Sequence, residues 1–379
     1  MRRERQVELL QRVAGAGPQL AGLHIDASMV NDASVYTDPA HFEREMALLF
    51  RAQPVLFALS GDLTEPGSYR AALVAGVPVV VVRQEGGGLG AFVNVCRHRG
   101  APLVDEGVGA CARTFACPYH AWTYGFDGAL RGRPGSAGAF DDVAAEMNLL
   151  PLPVAEAHGL IFVRAGGGDP IDVDAHLAGA EDDLASYGLA DYVHVESRTN
   201  TWPINWKLVI DTFTESYHVR TLHRNTLGPT FDSYCQIFDA FGPHCMGIGL
   251  RKDVVDEVRK PVEEWSLLPY GTIQYFLVPG ALVVHQLDHV EVWRLQPVDV
   301  RTTTTVTSVY APTEPHSERS RDYFVKNLDL LLAVTGDEDF TLMAKIQANL
   351  DGGALHEVVY GRNEAALVHV HRSINQALA

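Results

Sequence analysis

Hydrophobic and polar positions change their spacing along the chain, and each change predicts a different structure. Residues 38–50, DPAHFEREMALLF, have helical spacing behind an Asp–Pro start, which predicts a helix. From about 55 to 165, short apolar runs alternate with glycine-rich turns, as in VPVVVVRQ (77–84) and GLIFVRA (159–165). This pattern is typical of a small domain built from short β-strands.

The second half of the chain combines strand and helix patterns. A strand pattern from 193 leads into INWKLVIDTFTESYHVRTLH (204–223), which has helical spacing. Several β-rich runs occupy 270–312, and helical runs close the chain at 319–334, 337–350 and 361–378. These patterns predict an α+β fold whose parts are an N-terminal helical part at 1–45, a β domain at 46–166 and a larger domain at 167–379.

Composition and charge argue against several classes of protein. The formal net charge is −17 at pH 7, which argues against DNA or RNA as a partner, because phosphate binding requires a basic surface. The five cysteines are too few for a disulfide scaffold, so metal or core roles are expected. The N-terminus has no apolar signal region, and the longest apolar run, 71–82, is too short to span a membrane. A soluble, cytoplasmic protein is predicted.

Two short motifs in the predicted β domain each place a cysteine close to a histidine. They are Cys96-x-His98 and Cys117-x-x-His120. Turns between strands can bring these four side chains together around an inorganic group. Two Cys and two His allow either a tetrahedral zinc ion or a [2Fe–2S] cluster with Cys on one iron and His on the other. The position of the motifs on hairpin loops, with no zinc-finger helix, favours the cluster.

A second group of acids and histidines lies in the helical segment 204–223. Asp211, Glu215 and His218 follow one another at i, i+4 and i+7, which places them on one face of a continuous helix. His223 would point away from that face, so the helix must end or bend between His218 and His223 if both bind one metal. Two histidines and one carboxylate are the ligand set of non-haem Fe(II) oxygenases.

The residues around both groups resemble one family. CRHRGAPL (96–103) and CPYHAWTYGFDGAL (117–130) resemble the Rieske signature of ring-hydroxylating oxygenases. The Tyr217-His218 pair with His223, placed after NWK, resembles the iron motif of their catalytic α subunit. The resemblance implies a Rieske β domain inserted in a catalytic domain that has a large antiparallel sheet flanked by helices. It assigns the [2Fe–2S] cluster to Cys96, His98, Cys117 and His120.

The same resemblance assigns roles at the second site. It implies that His218 and His223 are ligands of a mononuclear Fe(II), and that the third ligand is Asp339 in GDEDFTLMAKIQ (336–347). Asp337 and Glu338 remain alternatives to Asp339. Glu215 takes the place of the acid that bridges this iron to the cluster ligand His120 of a neighbouring subunit. Asp211 is the second candidate catalytic acid.

The implied activity is that of a terminal oxygenase. Electrons from NAD(P)H would arrive through a flavin or iron–sulfur reductase, with or without a separate ferredoxin, in a homotrimer closed by three-fold symmetry. The expected substrate is a small aromatic compound, hydroxylated by mono- or dioxygenation. Oxidation of a quaternary ammonium compound of the carnitine or betaine type is the alternative.

Two other classes of protein are compatible with parts of the pattern. A Rieske electron carrier would have the cluster but no working second site, and iron analysis would find only the cluster irons. A zinc-stabilised binding module would be colourless and free of iron, whereas a Rieske cluster is brown-red with a characteristic EPR signal.

Overall fold

The computed structural model describes residues 1–16, 24–142, 146–231 and 236–379. The chain divides into two compact units. The first, here called the β unit, comprises Phe50–His176 and Leu189–Asp191. The second, here called the α+β unit, comprises Met1–Leu49, Leu177–Gly188 and Tyr192–Ala379. The N-terminal residues therefore belong to the same unit as the C-terminal half of the chain.

The helices and strands follow the chain in this order. The first half forms α1 (Arg3–Gly15), β1 (Met29–Asp32), α2 (Pro39–Glu45), β2 (Val55–Leu59), β3 (Ser68–Val74), β4 (Val77–Arg83), β5 (Leu89–Val93), β6 (Gly107–Ala110), β7 (Thr114–Ala116), β8 (Thr123–Gly125), β9 (Leu130–Gly132), β10 (Val154–Ala157), β11 (Leu160–Val163), α3 (Val173–Leu177) and α4 (Glu181–Ala185). The second half forms β12 (Val193–Trp202), α5 (Trp206–Phe213), α6 (Val219–Leu222), β13 (Ile237–Phe241), β14 (His244–Leu250), α7 (Val254–Glu257), β15 (Gly271–Leu277), β16 (Ala281–His285), β17 (Val290–Asp299), β18 (Thr302–Ala311), α8 (Glu318–Val334), α9 (Thr341–Asp351), β19 (Glu357–Tyr360) and α10 (Ala365–Leu378). Two π-helical segments occupy Met46–Arg51 and Thr335–Phe340.

The β unit consists of small antiparallel sheets. Within its described residues the strand orders are β10-β11-β2, β5-β4-β3-β6 and β7-β8-β9. Strand β4 is buried on both faces, because alternate side chains of a strand point in opposite directions. Val79 and Val81 pack in one apolar cluster, whereas Val80 and Val82 pack in the cluster that contains Cys96. The continuous run of valines is thus explained by a strand that separates two cores.

The α+β unit is built on an antiparallel sheet. In the described residues this sheet has seven strands in the order β12-β18-β17-β16-β15-β14-β13. Helix α8 packs on β12 and β18, helix α10 packs on β13 and β14, and helix α5 lies against β17. Helices therefore flank the sheet.

A buried ion pair fixes the start of α5. Lys207 Nζ lies 2.5 Å from Glu45 Oε1, and both side chains are almost fully buried. The indole Nε1 of Trp206 donates a hydrogen bond to the other Glu45 oxygen at 2.8 Å. A buried charge of this kind is tolerated only when its partners satisfy it. The contacts hold α5 to helix α2 and so fix where the chain after α5 begins.

Apolar helices of membrane-spanning length are absent from the residues that the structure describes.

Candidate active site

The segment predicted as one helix is broken in the structure. Helix α5 ends at Phe213, and α6 begins at Val219 with His218 as its N-terminal flanking residue. The hydroxyl groups of Thr212 and Thr214 donate to carbonyl oxygens one turn earlier, at 3.0 and 2.9 Å. Threonines that bond to the backbone in this way weaken and bend helices.

The break corrects one expectation. The prediction that Asp211, Glu215 and His218 share one face of a continuous helix is wrong, because the helix stops before Glu215. A helix does end between His218 and His223, as expected, since α6 ends at Leu222. The break after Phe213 adds a change of direction before His218.

Three side chains from distant parts of the sequence meet after this break. Asp339 Oδ1 lies 3.0 Å from Nε2 of His223 and 3.5 Å from Nε2 of His218. In the described residues these are the one group of three or more His, Cys, Asp or Glu donors within 4.8 Å of one another. The π-helical segment Thr335–Phe340 carries Asp339 into this buried position. The geometry matches two imidazoles and a carboxylate on one side of a metal ion.

The donor atoms point at a place that a cation fits. Asp339 Oδ1 is buried and makes no hydrogen bond with the described residues, although His223 is close. A buried carboxylate oxygen without a hydrogen bond is costly, and a bound metal ion removes that cost. Burial lowers the pKa of His223, but the neighbouring carboxylates of Asp339 and Glu338 outweigh burial and raise it. The negative charge of these two carboxylates attracts a divalent cation.

Two further carboxylates orient the histidine rings. Glu338 Oε2 accepts a hydrogen bond from Nδ1 of His223 at 2.7 Å, and Glu215 Oε1 accepts one from Nδ1 of His218. Because each Nδ1 carries the proton, each Nε2 presents a lone pair toward Asp339. Metal-binding histidines are commonly held in this way. The structure thus places Asp339 at the donor group, Glu338 behind His223, and Asp337 at the exposed surface.

Asp211 lies apart from this group. Its carboxylate accepts a hydrogen bond from Tyr36 at 2.5 Å and lies 2.7 Å from Nε2 of His371. It does not line the cavity beside the donor atoms, and it ties α5 to the N-terminal segment and to α10. Tyr36 and His371 were not identified from the sequence as its partners, since nothing in the local pattern relates residues so far apart.

In the β unit, the two Cys–His motifs form loops with the same geometry. The amide of Gly100 donates to the carbonyl of Cys96, and the amide of Ala121 donates to the carbonyl of Cys117, both at 2.9 Å. The closing residue has a positive φ in each loop, 78° for Gly100 and 55° for Ala121. Ala121 adopts a conformation that favours glycine, which marks a tightly constrained turn.

The four side chains of these loops divide into an inner and an outer pair. Cys96 and Cys117 are buried, whereas Nδ1 of His98 and Nδ1 of His120 lie 3.1 Å apart at the surface. The indole ring of Trp122 stacks on His98 with ring centres 4.9 Å apart. This division fits a two-metal core with the cysteine sulfurs on one iron and the histidine nitrogens on the other.

A cavity of about 280 Å³ opens beside His218, His223 and Asp339. One part of its wall is apolar and comes mainly from the chain after α5 and from α8: Phe213, Val219, Leu227, Phe231, Val284, Leu330, Leu331 and Val334. The other part is polar and comes from β15, from the β16–β17 turn with the start of β17, from the residue before β13 and from α8: Thr272, Gln274, Gln286, His289, Glu291, Gln236 and Asn327. The size suits a small molecule held beside the donor atoms.

Two family models match the two parts of the chain that carry the candidate metal-binding residues. The model of the Rieske [2Fe-2S] domain matches residues 53–148, and that of the ring hydroxylating alpha subunit (catalytic domain) matches residues 189–379, half of the chain. The chain belongs to the Rieske oxygenases. The matches confirm the expected family, the α+β fold class, and the pairing of a [2Fe–2S] cluster with a mononuclear iron. They decide against the zinc module.

Individual relatives of this Rieske oxygenase are similar over about half of each chain. The oxygenase subunit of glycine betaine monooxygenase from Chromohalobacter salexigens is 36% identical over 193 residues, which are 51% of this chain and 42% of the relative. That of carnitine monooxygenase from Acinetobacter baumannii is 32% identical over 199 residues, 50% of this chain and 51% of the relative. The alpha subunit of chlorobenzene dioxygenase from a Cupriavidus species is 32% identical over 197 residues, 50% of this chain and 43% of the relative.

Solved structures share the fold over nearly the whole chain. A quaternary ammonium Rieske monooxygenase in complex with L-carnitine has a TM-score of 0.78 at 22% identity, and covers 93% of this chain and 96% of its own. Naphthalene 1,2-dioxygenase from a Rhodococcus species has a TM-score of 0.73 at 19% identity, and covers 99% of this chain and 98% of its own. Both similarities concern the fold.

A substitution of Glu338 tests whether this residue orients the imidazole ring of His223. Replacing Glu338 with Gln should weaken binding of the mononuclear iron by about 10- to 100-fold, because the amide holds the Nδ1 proton of His223 less strongly. Iron affinity can be measured by titrating Fe(II) anaerobically into enzyme depleted of that iron. Asp337→Asn, which removes an exposed charge on the same turn, should bind iron like the wild type. Equal affinities for all three proteins would contradict the role of Glu338.

Proposed function

We propose that this Rieske oxygenase oxidises a small quaternary ammonium compound and takes its electrons from a separate reductase. The observation that carries the proposal is the row of side-chain amides in the cavity: Gln236, Gln274, Gln286 and Asn327. Relatives named for glycine betaine and carnitine support it. From the sequence, an aromatic substrate is the first expectation and a quaternary ammonium compound the alternative. The cavity wall favours the quaternary ammonium compound.

The amides argue for a polar substrate on energetic grounds. Leaving a buried amide without a hydrogen bond costs about 1–3 kcal/mol. Gln286 and Asn327 already bond within the protein, the first to Thr272 and Glu291 and the second to the carbonyl of Tyr323. An aromatic hydrocarbon offers no hydrogen bond to the amide groups that remain. Betaine and carnitine each carry a carboxylate, to which amide NH₂ groups can donate, while the apolar wall can cover the methyl groups.

Each of the two units would hold one of the metal centres. His218, His223 and Asp339 would hold the mononuclear iron, and Cys96, His98, Cys117 and His120 would hold the cluster. When bound, the cluster supplies single electrons, and the ferrous ion supplies open coordination positions for dioxygen. Glu215 and Glu338 keep the two iron-binding rings oriented. The apolar wall, with Phe213 and the leucines of α8, keeps water away from the substrate.

Aromatic hydroxylation is the second candidate. Two aromatic rings, Phe213 and Phe231, line the cavity, and the chlorobenzene dioxygenase relative is named for an aromatic substrate. Rings in this position can stack on a planar substrate. The two candidates differ in what the amide row would contact, and a substrate panel separates them.

The panel consists of glycine betaine, L-carnitine, chlorobenzene and naphthalene. With iron-replete enzyme, NADH and a compatible reductase, we expect oxygen uptake and product formation with at least one quaternary ammonium compound. Hydrogen peroxide should be measured in parallel, because uncoupled oxygen uptake produces it without product. Product formation from the aromatic compounds alone would overturn the proposed substrate class. Enzyme without added reductase is the control for the electron source.

Glu215 tests the proposed homotrimer, in which Glu215 would connect the iron site to His120 of a neighbouring subunit. Replacing Glu215 with Gln should weaken binding of the mononuclear iron no more than Glu338→Gln does, because the amide oxygen can still accept a hydrogen bond from Nδ1 of His218. With both metal centres loaded at excess Fe(II), coupled turnover should fall by about 100-fold, because the bridging carboxylate is lost. Turnover and metal content should be measured on the same preparation, with its mass in solution. Full activity of the variant, or a monomeric active enzyme, would contradict the proposed connection between subunits through Glu215.

A further inference from the structure

Glu291 is a buried carboxylate in the cavity wall that the iron site does not use. It lies on β17, its side chain is 3% exposed, and it lines the same cavity as His218 and Asp339. Of the acids that line the described cavity, Glu215 orients a histidine ring and Asp339 belongs to the donor group. Glu291 has neither role.

The hydrogen bonds to Glu291 are long. Nε2 of His289 lies 3.3 Å from its Oε1, and the amide of Gln286 donates to its Oε2 at 3.4 Å. On its other side, Nδ1 of His289 lies 2.8 Å from Oδ1 of Asp288. The ring therefore stands between two carboxylates. Even a fully protonated His289 carries one positive charge against two negative ones, so the trio retains a negative charge.

Beside Glu291, His289 is the described side chain of the cavity wall that can carry a positive charge, and it also lies 2.8 Å from Asp288. Neither lysine nor arginine occurs among the described residues of the wall. Asp288 is about half exposed and its charge is solvated, whereas Glu291 is shielded from water. A buried carboxylate is costly unless a cation or strong hydrogen bonds compensate for it. A cationic ligand in the cavity would supply that compensation.

We propose that Glu291 binds the positively charged nitrogen of the substrate and so determines the preference for cationic over uncharged compounds. This inference rests on the proposed function. Phe213 and Phe231 line the same cavity, and aromatic rings also attract cations. The amide row would then contact the polar end of the substrate. His289 is a positioning residue that holds the Glu291 carboxylate in place.

A pair of probes that differ in charge tests the proposal by binding. Glycine betaine and 3,3-dimethylbutanoate have the same shape and carboxylate, but a carbon atom replaces the charged nitrogen in the second compound. Affinities should be measured calorimetrically on anaerobic, iron-replete enzyme without reductase. We expect the wild type to prefer glycine betaine by at least about tenfold. In Glu291→Gln this preference should disappear, through weaker binding of glycine betaine and no weakening for 3,3-dimethylbutanoate.

Two further variants control for general charge and for folding. Asp288→Asn removes the exposed carboxylate on the other side of His289, and should change either affinity by less than about threefold. Glu291→Asp keeps the charge on a shorter side chain, and should retain a preference for glycine betaine even if the Gln variant folds poorly. A preference that persists unchanged in a folded Glu291→Gln enzyme would overturn the proposal.

The outcomes separate this proposal from the proposed function. If both probes bind the wild type equally, Glu291 does not recognise charge, and the substrate panel still decides the class. If the charge preference depends on Glu291 but no quaternary ammonium compound is oxidised, the proposed function fails and the binding role of Glu291 stands.

Discussion

Replacing Asp339 with Asn should release the mononuclear iron and lower product formation by at least about 10³-fold. The amide is neutral and offers a weaker ligand, so the two imidazoles alone would have to hold the ion. Metal analysis should show that the [2Fe–2S] irons remain and that the additional iron is lost. The reduced cluster should keep its EPR signal, because the cluster ligands lie in the other unit.

The same experiment distinguishes Asp339 from its two neighbours. Asp337 is exposed and should tolerate Asn without loss of iron. Glu338 contacts His223 through Nδ1, so its Gln variant should weaken iron binding without abolishing it. Retention of iron by Asp339→Asn, together with its loss in one of the other two variants, would show that a different acid is the third ligand.

Replacing Cys117 with Ser should remove the Rieske cluster and abolish NADH-dependent turnover, a loss of at least about 10³-fold. A serine oxygen is a poor ligand for an iron–sulfur core, which thiolates hold. The purified variant should lose the brown-red colour and the EPR signal of the cluster. The mononuclear iron should still bind, since its ligands belong to the α+β unit.

Cys111 provides the matched control. It lies between the two Cys–His loops in the sequence, is half-buried, and packs at the edge of the apolar cluster that contains Cys96. Cys111→Ser should therefore keep the cluster, its colour and its activity. A colourless Cys111→Ser protein, or a coloured Cys117→Ser protein, would mean that the cluster ligands are assigned incorrectly.

The sequence placed the two Cys–His motifs on loops between strands, and the structure has them there. Cys96 with His98, and Cys117 with His120, each lie within a single loop, so their spacing reflects the local backbone that presents them. Their role as cluster ligands stays a prediction. The valine run at 77–84 was likewise predicted as a strand, and β4 occupies Val77–Arg83. Such patterns are determined locally, because strand alternation and tight turns depend on neighbouring residues.

Predictions that required long-range packing were less complete. The helical spacing of 204–223 did not reveal the break after Phe213, since threonine side chains compete with the helix only weakly and packing decides the outcome. The cavity wall was also missed: Glu291 and Gln274 stand on strands whose facing direction depends on the register of the whole sheet, and the other amides lie beside strand ends or on α8.

The sequence by itself determined the family, the fold class, the two kinds of metal centre and most of their candidate ligands. Only the tertiary structure brought Asp339 to His218 and His223, placed Glu338 behind His223, and separated Asp211 from them. The physical reason is distance along the chain. Local patterns record the conformation of a few residues, whereas contacts between residues more than a hundred positions apart follow from how complete helices and sheets pack.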